Sequence, residues 1–127
     1  MDFITYLTRQ ITFSRGAFGP ARRHKGVVEH IKKELEELED AGGSPDEWVD
    51  LVMLSLDGLT RAVRERLREG TDIMQGFEPT HDRIARDSVA VIVGKLAKNE
   101  LRDWPDWRTA SEDQAIEHDR SKDNELG

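Results

Sequence analysis

The sequence predicts an all-α protein, and three observations carry that prediction. Long stretches repeat their apolar residues at three- and four-residue intervals. Glycines and prolines fall between those stretches, with capping residues at their edges. The one β-branched run, Val89-Ala90-Val91-Ile92-Val93, lies inside such a pattern and would have no second strand to pair with.

Residues 2 to 13 place Phe3, Ile4, Leu7, Ile11 and Phe13 at helical spacings, with Asp2 as N-cap. The segment from Ser14 to Pro20 holds two glycines and a proline, and it is predicted as a loop leading into basic Arg22, Arg23, His24 and Lys25. That loop has two readings. It is a solvated connector, or its Phe18 and glycines touch a nucleobase while the basic run meets phosphate.

A second helix is predicted from Gly26, where Val27, Val28, Ile31, Leu35 and Leu38 form one stripe at about 100° per residue. Glu34 borders the stripe, and Glu37 and His30 lie just beyond it on the same side. Glu29, Lys33 and Glu36 point the other way, and Glu39 borders the far edge. Asp40-Ala41-Gly42-Gly43 ends this helix.

Ser44-Pro45-Asp46-Glu47 opens a third helix, with Ser44 as N-cap and Pro45 at its first position. Glu47 completes a capping box, which is an alternative to any chemical role. So short a connection makes the two helices antiparallel neighbours. The third helix runs to about Glu69, and its first half is apolar nearly all round, which predicts burial on several sides. Asp50 and Asp57 interrupt that run, and a buried carboxylate needs a partner. Arg61 can pair with Asp57 at one helical turn; the other reading of Asp57 is a contact to substrate. No comparable cation stands near Asp50 on its helix.

Gly70 to Pro79 reads as a loop whose Ile73, Met74 and Phe77 pack back on the core. Thr80 caps a last helix from about Asp82 to Asp103, where Ile84, Ser88, Val91, Lys95, Asn99 and Arg102 keep helical spacing. Lys95, Asn99 and Arg102 share one face, either as a solvated helix end or as an ammonium, an amide and a guanidinium for phosphate. Trp104-Pro105-Asp106-Trp107-Arg108 stops the helix at Pro105. Its tryptophans cap the core, stack near a ligand or meet another subunit. Residues 1–108 are predicted as one domain and the polar residues 109–127 as a disordered tail.

Composition narrows the partners. With 19 Lys and Arg against 26 Asp and Glu, the net charge is -7, which argues against a protein that tracks a nucleic-acid polymer. Absence of Cys excludes disulfides and thiolate zinc sites. No apolar run approaches the roughly 20 residues that span a bilayer, and the N-terminus lacks a signal-peptide pattern, so a cytoplasmic protein is expected.

Glu34, Glu37, Glu47 and Asp50, from two adjacent helices, offer hard oxygen ligands suited to Mg²⁺ or Mn²⁺. Ions held there would meet a nucleotide's phosphates, and Lys95 and Arg102 would offset charge on the departing group. The implied reaction is attack of water on a nucleoside triphosphate.

Glu34-Leu35-Glu36-Glu37 followed by Glu47-Trp48-Val49-Asp50 resembles the ExxE…ExxD motif of the MazG-type all-α nucleoside triphosphate pyrophosphohydrolases. His30-Ile31-Lys32-Lys33-Glu34-Leu35, Leu56-Asp57-Gly58, Lys95…Asn99…Arg102 and the Trp104–Arg108 segment resemble the dATP/dGTP (MazZ-like) branch, often phage-encoded. The resemblance runs from about Phe13 to Arg108. It implies a MazG-like bundle completed by homo-oligomerisation, as a dimer or tetramer. It also implies hydrolysis of a purine dNTP to the monophosphate and pyrophosphate with Mg²⁺ or Mn²⁺. Metal ligation carries over to Glu34, Glu37, Glu47 and Asp50. Substrate contacts carry over to Lys95, Asn99 and Arg102, with Trp104, Asp57 and Phe18 as further candidates. The wider superfamily often has EExxE where this chain has Lys33-Glu34; a shifted register would read Glu36-Glu37-Leu38-Glu39-Asp40 instead. The rival readings are a non-catalytic helical oligomerisation or inhibitor protein, and an acidic mimic that blocks a nucleic-acid-binding protein.

Overall fold

The computed structural model describes residues 1–69 and 76–120. Four α-helices, α1 (Phe3–Phe18), α2 (His24–Ala41), α3 (Pro45–Glu69) and α4 (His81–Leu101), are followed by a 3₁₀ turn, Trp107–Thr109, and the described residues contain no strand. The all-α expectation holds. Of the predicted loop at Gly70 to Pro79, residues 70–75, with Ile73 and Met74, lie outside the described residues; Phe77 is half-buried and Pro79 buried.

Asp2 caps α1, accepting a hydrogen bond from the Thr5 amide at 2.7 Å. The expected end of this helix was wrong. It continues through Ser14-Arg15-Gly16-Ala17 to Phe18, and the loop is confined to residues 19–23. Ser14 is buried against Asp57 and Arg15 reaches the same carboxylate, so tertiary contacts hold the last turn helical despite Gly16. Gly19, at φ 85°, ends it.

α2 begins at His24, two positions before the expected Gly26, after Arg23 in a left-handed conformation (φ 50°). Gly42 and Gly43, both with positive φ, turn the chain sharply into α3. The Ser44 carbonyl accepts the Glu47 and Trp48 amides, so α3 starts where Pro45 predicts. Thr80 Oγ1 accepts the Arg83 amide at 3.1 Å and starts α4 as expected.

The chain forms two compact units, Met1–Val89 and Ala90–Gly127, with the boundary inside α4. In the first, α3 is the central rod, packed on one side against α1 and on another against α2. Leu7 and Ile11 of α1, Val27 of α2, Leu56 and Val63 of α3, and Ile84 and Ala85 of α4 make the core. Burial of a side chain such as Leu7 or Ile84 contributes about 2 kcal/mol. Gly58 lets α2 and α3 approach closely, since a Cβ there would lie 3.4 Å from Val27 Cγ1.

The predicted burial of the first half of α3 does not hold within one chain. Trp48 is 54% exposed, Val49 45%, Val52 52% and Met53 39%. Leu35 and Val28 of α2 are exposed as well. The apolar pattern reports what these residues favour, and the described residues of the first unit leave that part of α3 uncovered.

In the second unit, the Trp104 indole donates to the Asn99 carbonyl at 2.8 Å, and Asp106 caps the 3₁₀ turn through the Arg108 amide. Residues 121–127 of the expected tail lie outside the described residues. Residues 110–119 carry no further helix, but His118 packs edge-on against Trp104 at 5.4 Å and the Asp119 amide reaches the Asp103 carbonyl.

Candidate active site

Glu34 lies one turn after His30 on α2, with 3.6 Å between His30 Nε2 and its carboxylate, and its side chain is 16% exposed. Partial burial, followed by the nearby carboxylates of Glu37 and Asp50, holds the Glu34 carboxyl above the ordinary glutamate range; His30 opposes that shift. The electrostatic coupling therefore crosses from α2 to α3. Glu47, half-buried at the start of α3, has its Oε2 shielded from solvent without a hydrogen-bond partner among the described residues. Its capping-box role leaves that oxygen unexplained, because no hydrogen bond joins it to Ser44. Among the described residues, no three His, Asp or Glu side chains already form a group fit to hold a metal ion. Glu34 shares a neighbourhood with Glu37 and Asp50, not a finished coordination shell.

Beside them lies a cavity of about 220 Å³ between the first three helices. α1 contributes Gln10, Phe13, Ser14 and Phe18; α2 contributes His30 and Glu34; α3 contributes Asp50, Met53, Leu54 and Asp57. The lining combines aromatic and aliphatic surface with a few polar groups, the usual make-up of a small-molecule site. Gln10 is anchored by its side-chain amide to the Met53 carbonyl at 2.8 Å.

Asp57 is 6% exposed and heavily engaged. Its Oδ1 accepts from the Ser14 hydroxyl, from Arg15 Nη1 at 3.0 Å and from Arg61 Nε at 3.1 Å. Arg61, 1% exposed, donates further to Ser14 Oγ and to the carbonyls of Gly19 and Ala21. Burial and the neighbouring Arg61 lower the Arg15 pKa, while Asp57 opposes this. The salt-bridge reading of Asp57 is thus realised, although the same residue also lines the cavity.

The structure brings together Glu34, Asp50, Asp57 and Phe18 around one cavity, with Glu37 close to Glu34. Phe18 is there as the last residue of a helix, not as part of a loop. Lys95, Asn99, Arg102 and Trp104 belong to the second unit. There Arg102 Nη1 donates to Asn99 Oδ1 at 2.7 Å, so those two side chains form a pair, while Lys95 is exposed. Sequence reasoning missed Gln10 and Ser14 as lining residues and Arg15 and Thr60 as part of the buried network, where Arg15 also reaches Thr60 Oγ1 at 3.3 Å. The signal was present: Leu7, Ile11, Ser14 and Phe18 continue one helical stripe past Phe13.

A family model described as dATP/dGTP pyrophosphohydrolase matches residues 7–75, a stretch that includes every cavity-lining residue and all four acids. Comparison with curated proteins and with solved structures gives no match.

Proposed function

This chain belongs to the dATP/dGTP pyrophosphohydrolase family and is a nucleoside triphosphate pyrophosphohydrolase, and we propose that it cleaves a purine dNTP to the monophosphate and pyrophosphate using Mg²⁺ or Mn²⁺. The observation that carries this reading is that Glu34 and Asp50 belong both to the acidic group and to the lining of the cavity. One ligand with an apolar, planar end and a polyanionic end satisfies both halves.

The donor set fits a divalent cation in its chemistry. Glu34 lies close enough to Glu37 and to Asp50 for their charges to oppose its own, and Glu47 Oε2 has no hydrogen-bond partner among the described residues. Such ions usually keep waters and substrate phosphates among their ligands, so a complete protein shell is not required. Bound there, the ion would offset phosphate charge and polarise a phosphoryl oxygen. Phe13, Phe18, Met53 and Leu54 would exclude water from the base, and Gln10, His30 and Ser14 offer polar contacts at its edge. Lys95, Asn99 and Arg102 remain proposed phosphate contacts on their own unit, where Asn99 Oδ1 accepts from Arg102 and the Trp104 indole donates to the Asn99 carbonyl.

A homo-oligomer is part of the same proposal, supported by the exposed apolar surface of Trp48, Val49 and Val52. No helix among the described residues is long and apolar enough to cross a membrane; the cytoplasm is the proposed location. The test is a panel of the common dNTPs and NTPs with Mg²⁺ or Mn²⁺, assayed separately for pyrophosphate and orthophosphate. Pyrophosphate from purine dNTPs is expected. Orthophosphate as the first product would overturn the reading.

A further inference from the structure

The segment from Phe18 to Arg23 joins α1 to α2, and it is held from both ends by guanidinium groups. From within the core, Arg61 reaches across to the Gly19 carbonyl at 2.9 Å and to the Ala21 carbonyl. Its remaining donors go to Asp57 Oδ1 and Ser14 Oγ, so one buried side chain ties α3 to the last turn of α1 and to the connection beyond it. From outside, Arg23 lies over the Phe18 ring, 5.8 Å from its centroid, and donates to the Phe18 carbonyl at 3.4 Å. Arg23 takes a left-handed backbone conformation, and among the described residues no other non-glycine has positive φ. Such a conformation costs of order 1–3 kcal/mol and persists only where surrounding contacts over-determine it. Gly26 makes room, since a Cβ there would lie 3.0 Å from Arg23 Nη2.

The product of this arrangement is a fixed Phe18. The residue is 44% exposed and lines the cavity, so the core does not hold it in place by packing alone. We infer that Arg61 is a positioning residue for nucleotide affinity: through its hold on Gly19 and Ala21 it presets the Phe18 wall against which the base rests. Arg61 touches none of the four acids named as metal ligands, so its effect falls on binding of the nucleoside and not on the chemical step. This rests on the reading of the cavity as the base site.

Lys in place of Arg61 can keep a charge beside Asp57 but cannot span two carbonyls, Asp57 and Ser14 together, because an ammonium lacks the planar fork. In Arg61→Lys, KM for the preferred purine dNTP should rise about tenfold, the scale of one lost charge-assisted hydrogen bond, with kcat within about twofold. Mn²⁺ titration of the same variant should match the wild type. Phe18→Ala should raise KM comparably. The double variant should be no worse than the poorer single variant, because both changes remove the same wall. Unchanged KM in Arg61→Lys, a fall confined to kcat, or KM effects that multiply would each overturn the inference. If Arg61→Lys does not fold, Arg23→Gln, at an exposed position, loosens the other end of the segment; a wild-type KM there overturns it equally, and a KM increase that vanishes in the Phe18→Ala background supports it. A wild-type enzyme that releases no pyrophosphate from any dNTP would instead refute the proposed function.

Discussion

The Arg61 guanidinium donates from Nε to Asp57 Oδ1 at 3.1 Å, one helical turn back along α3, with Arg61 1% and Asp57 6% exposed. Arg15 approaches the same oxygen from α1. Two cations thus depend on one carboxylate in a setting where charges are poorly solvated. Asp57→Asn should lower the unfolding free energy by about 3 kcal/mol, since removing one member of a buried pair leaves charge uncompensated. Urea denaturation at neutral pH measures this; a midpoint equal to wild type would show that the network contributes little to folding.

Asp50 is exposed on α3 and lines the cavity next to Glu34, so its removal leaves no hole in the core. Asp50→Ala should reduce turnover by about 10²–10³-fold, in the range seen when a principal transition-state stabiliser is lost. Far-UV circular dichroism and oligomer size should not change. Activity close to wild type in this variant would count heavily against the assignment of the acids.

Chelation should abolish pyrophosphate release, and added Mg²⁺ or Mn²⁺ should restore it. The affinity of the apoprotein for Mn²⁺ should also depend on pH. Glu34 binds its proton more tightly than an ordinary glutamate because of partial burial and the nearby Glu37 and Asp50, so a metal ligated as proposed would compete with the proton for it above the usual carboxylate range. Calorimetric titrations at several pH values should show binding that strengthens as pH rises through that window. In Glu34→Gln the dependence should flatten.

Glu78 accepts Arg64 Nε at 2.6 Å and Nη2 at 2.7 Å. These hydrogen bonds, with the Arg64 charge, hold its carboxyl below the ordinary glutamate value of 4.5. A depressed folded-state pKa contributes stability that is present above the unfolded value and disappears as pH falls through the folded one. Wild type should therefore exceed Glu78→Gln in Tm at neutral pH, and the gap should close as the pH drops below 4.5. A gap that widened in acid would contradict the sign of this linkage.

Val52 is 52% exposed on the apolar half of α3, near Trp48 and Val49. If that surface joins copies of the chain, Val52→Glu should shift the protein to smaller species, because an unpaired charge buried at an interface is strongly unfavourable. Light scattering coupled to size-exclusion chromatography reads the mass directly. An unchanged mass would place the interface elsewhere.

The start of α3 was legible because Gly42, Gly43 and Pro45 are local instructions that act through backbone conformation alone. The end of α1 was not. Gly16 and Gly19 read as loop residues, whereas Ser14 and Arg15 continue the helix because Asp57, more than forty positions away, waits for both of them. Glu34 and Glu37 stand out in the sequence by their relation to the α2 stripe and Asp50 by interrupting an apolar run, and the structure lines one cavity with Glu34 and Asp50. Their geometry was not legible, since it depends on how the two helices are rolled about their axes. The exposure of Trp48 and Val52 was likewise hidden, because an apolar residue names the surroundings it prefers and not where they come from.

Gly58 bears on all of this from a distance. A methyl group added there would lie 3.4 Å from Val27 Cγ1, at ordinary contact, whereas a branched side chain would press on it. The seating of α2, which carries Glu34, on α3, which carries Asp50, is thus felt at a residue that bears no charge. Bulk introduced there is expected to change how the two helices meet, with every carboxylate still in the sequence.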